Sequence, residues 1–138
     1  MARITGLNHL TLAVTDLDRS IGFYCNLLGF RLRARGRNFA YLDAGALWLC
    51  LSPDVEARTV PHPDYTHVAL SVATEDFEAL AGRIRAAATI WKDNRSEGAS
   101  LYFLDPDGHK LELHLGSLES RLTHYRGLSA EEGIAIYD

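Results

Sequence analysis

A strand, a helix and three further strands are written twice into this chain in the same order, and that repetition limits the fold more than any other feature. In the first half, His9, Thr11 and Ala13 alternate with Leu10, Leu12 and Val14, the period-two pattern of a half-buried strand. Asp16 then stands as an N-cap before Leu17, Ile21, Tyr24, Leu27 and Leu28, whose three- and four-residue spacing predicts an amphipathic helix ending at Gly29. Short apolar runs at 30–35, 39–43 and 47–51, separated by Gly36, Asn38 and Gly45, predict a strand meander. The order then restarts. An alternating strand at 65–72, a helical pattern over 75–86 and strands at 90–92, 100–104 and 110–115 follow, with the turn Asp105-Pro106-Asp107-Gly108 before the last. The expectation is an α+β fold of two tandem βαβββ modules, 1–52 and 65–116, joined by a linker at 53–64 that holds three of the four prolines. A capped helix opening at Ser117 begins a tail over 117–138. Two such cupped mixed sheets, facing each other, would enclose a polar cavity lined by alternate strand residues, where function is expected to sit.

Composition narrows the function classes. At 138 residues the chain has no room for a cofactor domain beside a substrate domain. A net charge of −4 with no run of basic residues gives no electrostatic footprint for nucleic acid or an anionic membrane. The longest apolar stretch, 44–51, falls far short of the roughly 20 residues of a membrane span. The first residues, Met1-Ala2-Arg3-Ile4, lack the apolar core of a secretory signal, so a cytoplasmic protein is expected. Cys25 and Cys50 make no disulfide framework and are expected to be reduced and packed.

His9 and His67 occupy equivalent places in the two first strands, about 58 positions apart, each on the face opposite the apolar set. In the last strand Leu111, Leu113 and Leu115 alternate with Glu112 and His114, which puts a carboxylate on that same kind of face. Two imidazoles and a carboxylate supply N and O ligands for a divalent ion while leaving positions open for substrate. His62, His109, His114 and His124 lack the support of the repeat and are read as surface or turn residues, although His114 shares a face with Glu112.

The segments 6–14 (GLNHLTLAV), 47–52 (LWLCLS), 64–67 (DYTH), 91–98 (WKDNRSEG) and 102–112 (YFLDPDGHKLE) closely resemble the glutathione-dependent fosfomycin resistance proteins of the vicinal oxygen chelate superfamily. The likeness runs from about Gly6 to Arg121. It implies a transferase, dependent on manganese and stimulated by potassium, that adds the glutathione thiol to the epoxide of fosfomycin. It implies further that His9, His67 and Glu112 bind the manganese, and that a domain-swapped homodimer brings His9 of one chain to His67 and Glu112 of the other. By the same resemblance Lys92, Ser96, Tyr102 and Arg121 bind the phosphonate and Trp48 walls the drug pocket. Thr11 assists ring opening, and Tyr41 lies near the incoming thiol. Asn38, Ser52 and Arg95 fall at thiol-site positions, and Asn94, Ser96, Gly98 and Ser100 match a potassium loop. Fosfomycin carries a dianionic phosphonate and a strained oxirane, so a Lewis acid flanked by cations suits it chemically.

The likeness is broken at Gly36 and Asn38, where the family commonly carries Trp and Gln beside the thiol channel, so the identity of the thiol stays open. Two other readings stand beside the transferase. A ring-cleaving dioxygenase of the same superfamily would use the same ligand set with iron, but a catechol has no use for Lys92, Arg121 and Ser96. A metal-free protein that sequesters an antibiotic has no use for His9, His67 and Glu112.

Overall fold

In the computed structural model, residues 1–128 and 132–137 are described. The first module runs β1 (Leu10–Val14), α1 (Leu17–Gly22, continued by a π-helical turn over Phe23–Leu27), β2 (Arg31–Arg35), β3 (Ala40–Ala44) and β4 (Leu47–Pro53). After the linker come β5 (Val68–Ser71), α2 (Phe77–Ala87, entered through a 3-10 turn at Thr74–Asp76), β6 (Ile90–Lys92), β7 (Ser100–Leu104) and β8 (Lys110–His114). A last helix, α3, spans Leu118–Arg126; positions 129–131 and 138 of the expected tail lie outside the described residues.

Each module folds into a four-stranded mixed sheet, in the order β1-β4-β3-β2 and β5-β8-β7-β6. The first strand runs parallel to the last in both, so Leu10 faces Leu49 and Val68 faces Leu111 in register. The expected α+β repeat is therefore present, with shorter first strands: residues 4–9 and 65–67 approach their sheets without joining them.

Local chemistry sets the boundaries. Asp16 is extended and accepts from Arg19 N–H at 3.0 Å, satisfying a donor at the start of α1. Gly29, at φ +81°, makes the left-handed turn that releases the chain into β2. Ser117 and Ser120 close a reciprocal capping box at the start of α3.

Alternation puts Leu12, Val14, Leu42, Leu49 and Leu51 on one face of the first sheet and Leu101, Phe103, Leu111 and Leu113 on one face of the second. With Tyr24 from the first helical segment and Phe77, Ala81 and Ile84 from α2, these residues form one shared core. The modules thus join through their helix-covered faces. The opposite faces carry Thr11 and Tyr41 on the first sheet and Tyr102 and Glu112 on the second. A cavity of about 460 Å³ at the module junction is apolar, lined among others by Leu10, Leu47, Val68, Leu70 and Leu113.

The turn before β8 locks the modules together. Asp107 is fully buried and accepts from Thr15 N–H (3.1 Å) and Thr15 Oγ1 (2.5 Å) at the end of β1, and from Arg19 (3.3 Å) and Ser20 (3.5 Å) on α1. Asp105 takes the Tyr24 hydroxyl at 2.8 Å and the backbone N–H groups of Asp107 and His109, and burial pushes its carboxyl above the usual range. His109, expected as a surface or turn residue, donates through Nε2 to the Ala13 carbonyl at 2.8 Å. Sequence alone reads Asp105–Gly108 as a turn; the buried carboxylates show it to be a joint.

Candidate active site

On the second sheet, Glu112 of β8 is buried, and His67 lies just before β5, the neighbouring strand. His67 Nε2 stands 3.0 Å from Glu112 Oε1, and Nδ1 stands 2.8 Å from the Tyr65 carbonyl. A carbonyl only accepts, so Nδ1 carries a proton, and Nε2 and the carboxylate oxygen converge on a position that a shared proton or a metal cation fills.

Glu112 Oε2 is held from the other side. Ser100 Oγ donates to it at 2.7 Å, and His114 Nδ1 lies 3.3 Å from it and 2.7 Å from Ser100 Oγ. His114, expected as a surface or turn residue sharing a face with Glu112, is thus part of the carboxylate's setting. Its place on the Glu112 face was legible from alternation, but its contact with the Ser100 hydroxyl was not.

His9 lies on the other sheet, ahead of β1, exposed and stacked on Trp48 of β4 at 4.5 Å. Its Nδ1 donates to Asn8 Oδ1 at 2.7 Å, so Nδ1 carries a proton here as in His67. Among the described residues, no three His, Cys, Asp or Glu side chains gather into one metal-sized cluster. The structure brings His67 and Glu112 together and leaves His9 apart, so one chain holds two ligands of the expected set and presents the third elsewhere.

Lys92 stands beside the pair. Lys92 Nζ donates to the Tyr65 hydroxyl at 2.6 Å and lies over the Tyr65 and Tyr102 rings at 4.7 and 4.6 Å. That hydrogen bond raises its pKa, and the ammonium persists at neutral pH. Tyr102 lies opposite Glu112 in the β7–β8 register and is itself buried. Arg121 of α3 is oriented by Glu97, whose Oε2 and backbone carbonyl accept at 2.9 and 3.2 Å. Tyr65 and Glu97 are the two orienting residues that the sequence did not single out. Tyr65 lies two positions before His67, the spacing of one strand face.

Asn94 Nδ2 donates to Gly98 O at 2.8 Å, and Asn94 Oδ1 accepts from the N–H and hydroxyl of Ser96 at 3.0 and 3.1 Å. These three residues close into one loop, whereas Ser100 turns to Glu112. On the first sheet Thr11 pairs with Cys50, and Tyr41 also pairs with Cys50 from β3. Tyr41 meets Trp48 edge-on at 5.4 Å, so Thr11, Tyr41 and Trp48 share one face with His9. Ser52 is half-buried at the far end of β4, while Asn38 and Arg95 are exposed on separate modules. Cys50 is buried, and burial pushes the Cys25 thiol up, so neither is built as a nucleophile.

Two repeated βαβββ sheets, one of them carrying an imidazole–carboxylate pair, define a class of small proteins built from a duplicated module. The chain belongs to the Glyoxalase/Bleomycin resistance protein/Dioxygenase superfamily, whose family model matches residues 6–113. Within it, the chain is similar to the glutathione transferase FosA of Serratia marcescens, at 58% identity over 126 residues covering 89% of each chain. It is 38% identical over 131 residues to the metallothiol transferase FosB of Staphylococcus epidermidis, covering 89% of this chain and 92% of the relative. A solved structure of the fosfomycin resistance protein FosX from Listeria monocytogenes, a mutant complexed with Mn(II) and 1S,2S-dihydroxypropylphosphonic acid, superposes with a TM-score of 0.77. Its identity to this chain is 30%, over 89% of this chain and 99% of that one. Among the described residues no helix is long and apolar enough to cross a membrane.

Proposed function

We propose that this protein is a fosfomycin-modifying thiol transferase that joins glutathione to the drug's epoxide, working as a homodimer with two composite sites. The observation that carries the reading is the His67–Glu112 pair, set beside Lys92 and separated from a His9 that presents the same nitrogen. A second copy of the chain supplies the missing ligand, because each chain holds its His9 and its His67–Glu112 pair on different sheets, where the three do not gather into one cluster.

The donor set suits a divalent cation, with His9 and His67 giving Nε2 and Glu112 a carboxylate oxygen. We assign manganese, in keeping with the Mn(II) of the FosX structure, and when bound it supplies Lewis acidity to the epoxide oxygen. Lys92 and Arg121 neutralise the phosphonate, with Ser96 and Tyr102 hydroxyls donating to its oxygens. Thr11 offers a hydroxyl to the opening ring. Tyr41, Asn38, Ser52 and Arg95 line the approach of the thiol, and Trp48 walls the pocket. Potassium is assigned to Asn94, Ser96, Gly98 and Ser100, supported by the loop that gathers the first three into one turn. In the reaction the sulfur forms a bond to an epoxide carbon and that carbon's bond to oxygen breaks. The electron pair stays on oxygen, which takes up the proton released from the thiol.

The test is direct. Purified protein with manganese, potassium, glutathione and fosfomycin is expected to yield the glutathione adduct by mass spectrometry. A diol product, or no adduct with any thiol of a panel, would overturn the reading. A monomer by sedimentation that is nonetheless active would overturn the composite site.

A further inference from the structure

Four rings rise one after another across the concave face of the first sheet. His9 meets Trp48 at 4.5 Å between centroids, Trp48 meets Tyr41 at 5.4 Å, and Tyr41 meets Phe39 at 4.7 Å. Within one chain Trp48, Tyr41 and Phe39 keep 38, 38 and 37% of their surface exposed, so the ladder lies outside that chain's core. Its outer end is fixed by the β2–β3 turn, which Gly36 N–H closes onto the Phe39 carbonyl at 3.0 Å. The Phe39 ring lies over Gly36 so closely that a Cβ at position 36 would sit 2.2 Å from Phe39 Cε1. Gly36 is not among the glycines with positive φ, so the backbone does not demand it there. It is required for space, and Phe39 fills that space.

We infer that Phe39 is a specificity-determining residue for the thiol co-substrate, its ring being the outermost contact of the strip on which that thiol lies. The inference rests on the transferase reading above. Lys92 and Arg121, the cations that suit a phosphonate, belong to the second module and to the helix that follows it, whereas the first module offers a strip of open rings leading away from His9. Arg31 and Arg33, on the strand beside that strip, are already paired with Asp43 at 3.0 and 2.6 Å. A thiol peptide that delivers its sulfur near His9 lays its peptide planes and methylenes along these rings. Phe39, three ring contacts out from His9, meets the part of the molecule remote from sulfur. That remote part is where glutathione differs from a short thiol such as cysteine.

The competing role for Phe39 is to shield a bare glycine in the hairpin, which is structural only. Steady-state kinetics on the active, metal-loaded protein separate the two. Phe39→Ala is expected to raise the KM for glutathione about tenfold, with the KM for fosfomycin and the KM for cysteine within about twofold of wild type. Gly36→Ala, which displaces the ring without removing it, is expected to raise the glutathione KM in the same direction and to have no further effect in a Phe39→Ala background. Phe39→Tyr is expected to restore the wild-type value. A glutathione KM unmoved by Phe39→Ala, or glutathione and cysteine weakened together, overturns the inference. Absence of any thiol adduct from the wild-type protein is a different result, because it overturns the transferase reading and this inference with it.

Discussion

Replacing Asp107 with alanine tests whether the joint between the modules is a principal source of stability. The carboxylate is fully buried and receives four donors: the Thr15 N–H, the Thr15 and Ser20 hydroxyls, and the Arg19 guanidinium. Hydrogen bonds to a charged acceptor contribute about 1.5–3 kcal/mol each when intact. They do not sum in full here, because removing the carboxylate also ends its own desolvation cost, and Arg19, with half its side chain exposed, returns to water. What remains uncompensated is the Thr15 N–H and the fully buried Ser20 hydroxyl. The expected loss is about 3 kcal/mol for Asp107→Ala and about 0.5 kcal/mol for Arg19→Ala. Urea denaturation followed by circular dichroism, with unchanged m-values, measures both. If the Asp107 variant loses no more than the Arg19 variant, the buried carboxylate is not what joins the modules.

Removing a metal ligand and removing the group that orients it should differ in degree. Glu112→Ala is expected to lower metal affinity by about a hundredfold or more and Ser100→Ala by about tenfold, read by competition with a chelator; equal effects would contradict the assigned roles. Lys92→Ala is expected to raise the KM for fosfomycin with a smaller change in kcat, and a pure kcat defect would place the lysine away from the phosphonate. Arg31 and Arg33 hold the Asp43 carboxyl down from 3.8 to about 2. A lowered folded-state value stabilises the protein above the unfolded value, and that contribution is lost as pH falls through the folded one. The difference in denaturation midpoint between wild type and Asp43→Asn should therefore be present at about pH 6 and fade between about pH 4 and pH 2. A difference independent of pH would mean that the arginines do not act through the charge.

Much of the site could be read from strand alternation alone. Period two put His9 and His67 on the faces opposite the leucines and valines, and placed Glu112 opposite Leu111 and Leu113, because successive side chains of a strand must point to opposite sides. The same rule places His114 on the face of Glu112 without saying that the two share a partner. What joins them is the Ser100 hydroxyl from the next strand, and cross-strand register is not written in either strand. Glu97 on Arg121 and Tyr65 on Lys92 escaped notice for the same reason, since each contact crosses between segments far apart in the chain.

By itself, then, the sequence determined the repeated βαβββ order, the helix caps at Asp16 and Ser117, and which imidazole and carboxylate residues stand on the faces opposite the apolar sets, all of which follow from local periodicity and capping chemistry. Tertiary structure decided how the two halves meet. Their apolar faces had to share one core, since a sheet with one helix buries only one side of itself, and Asp105 and Asp107 had to be buried to fasten that joint. With the apolar faces turned inward, His9 and the His67–Glu112 pair come apart within a chain whose sequence places them by one and the same pattern.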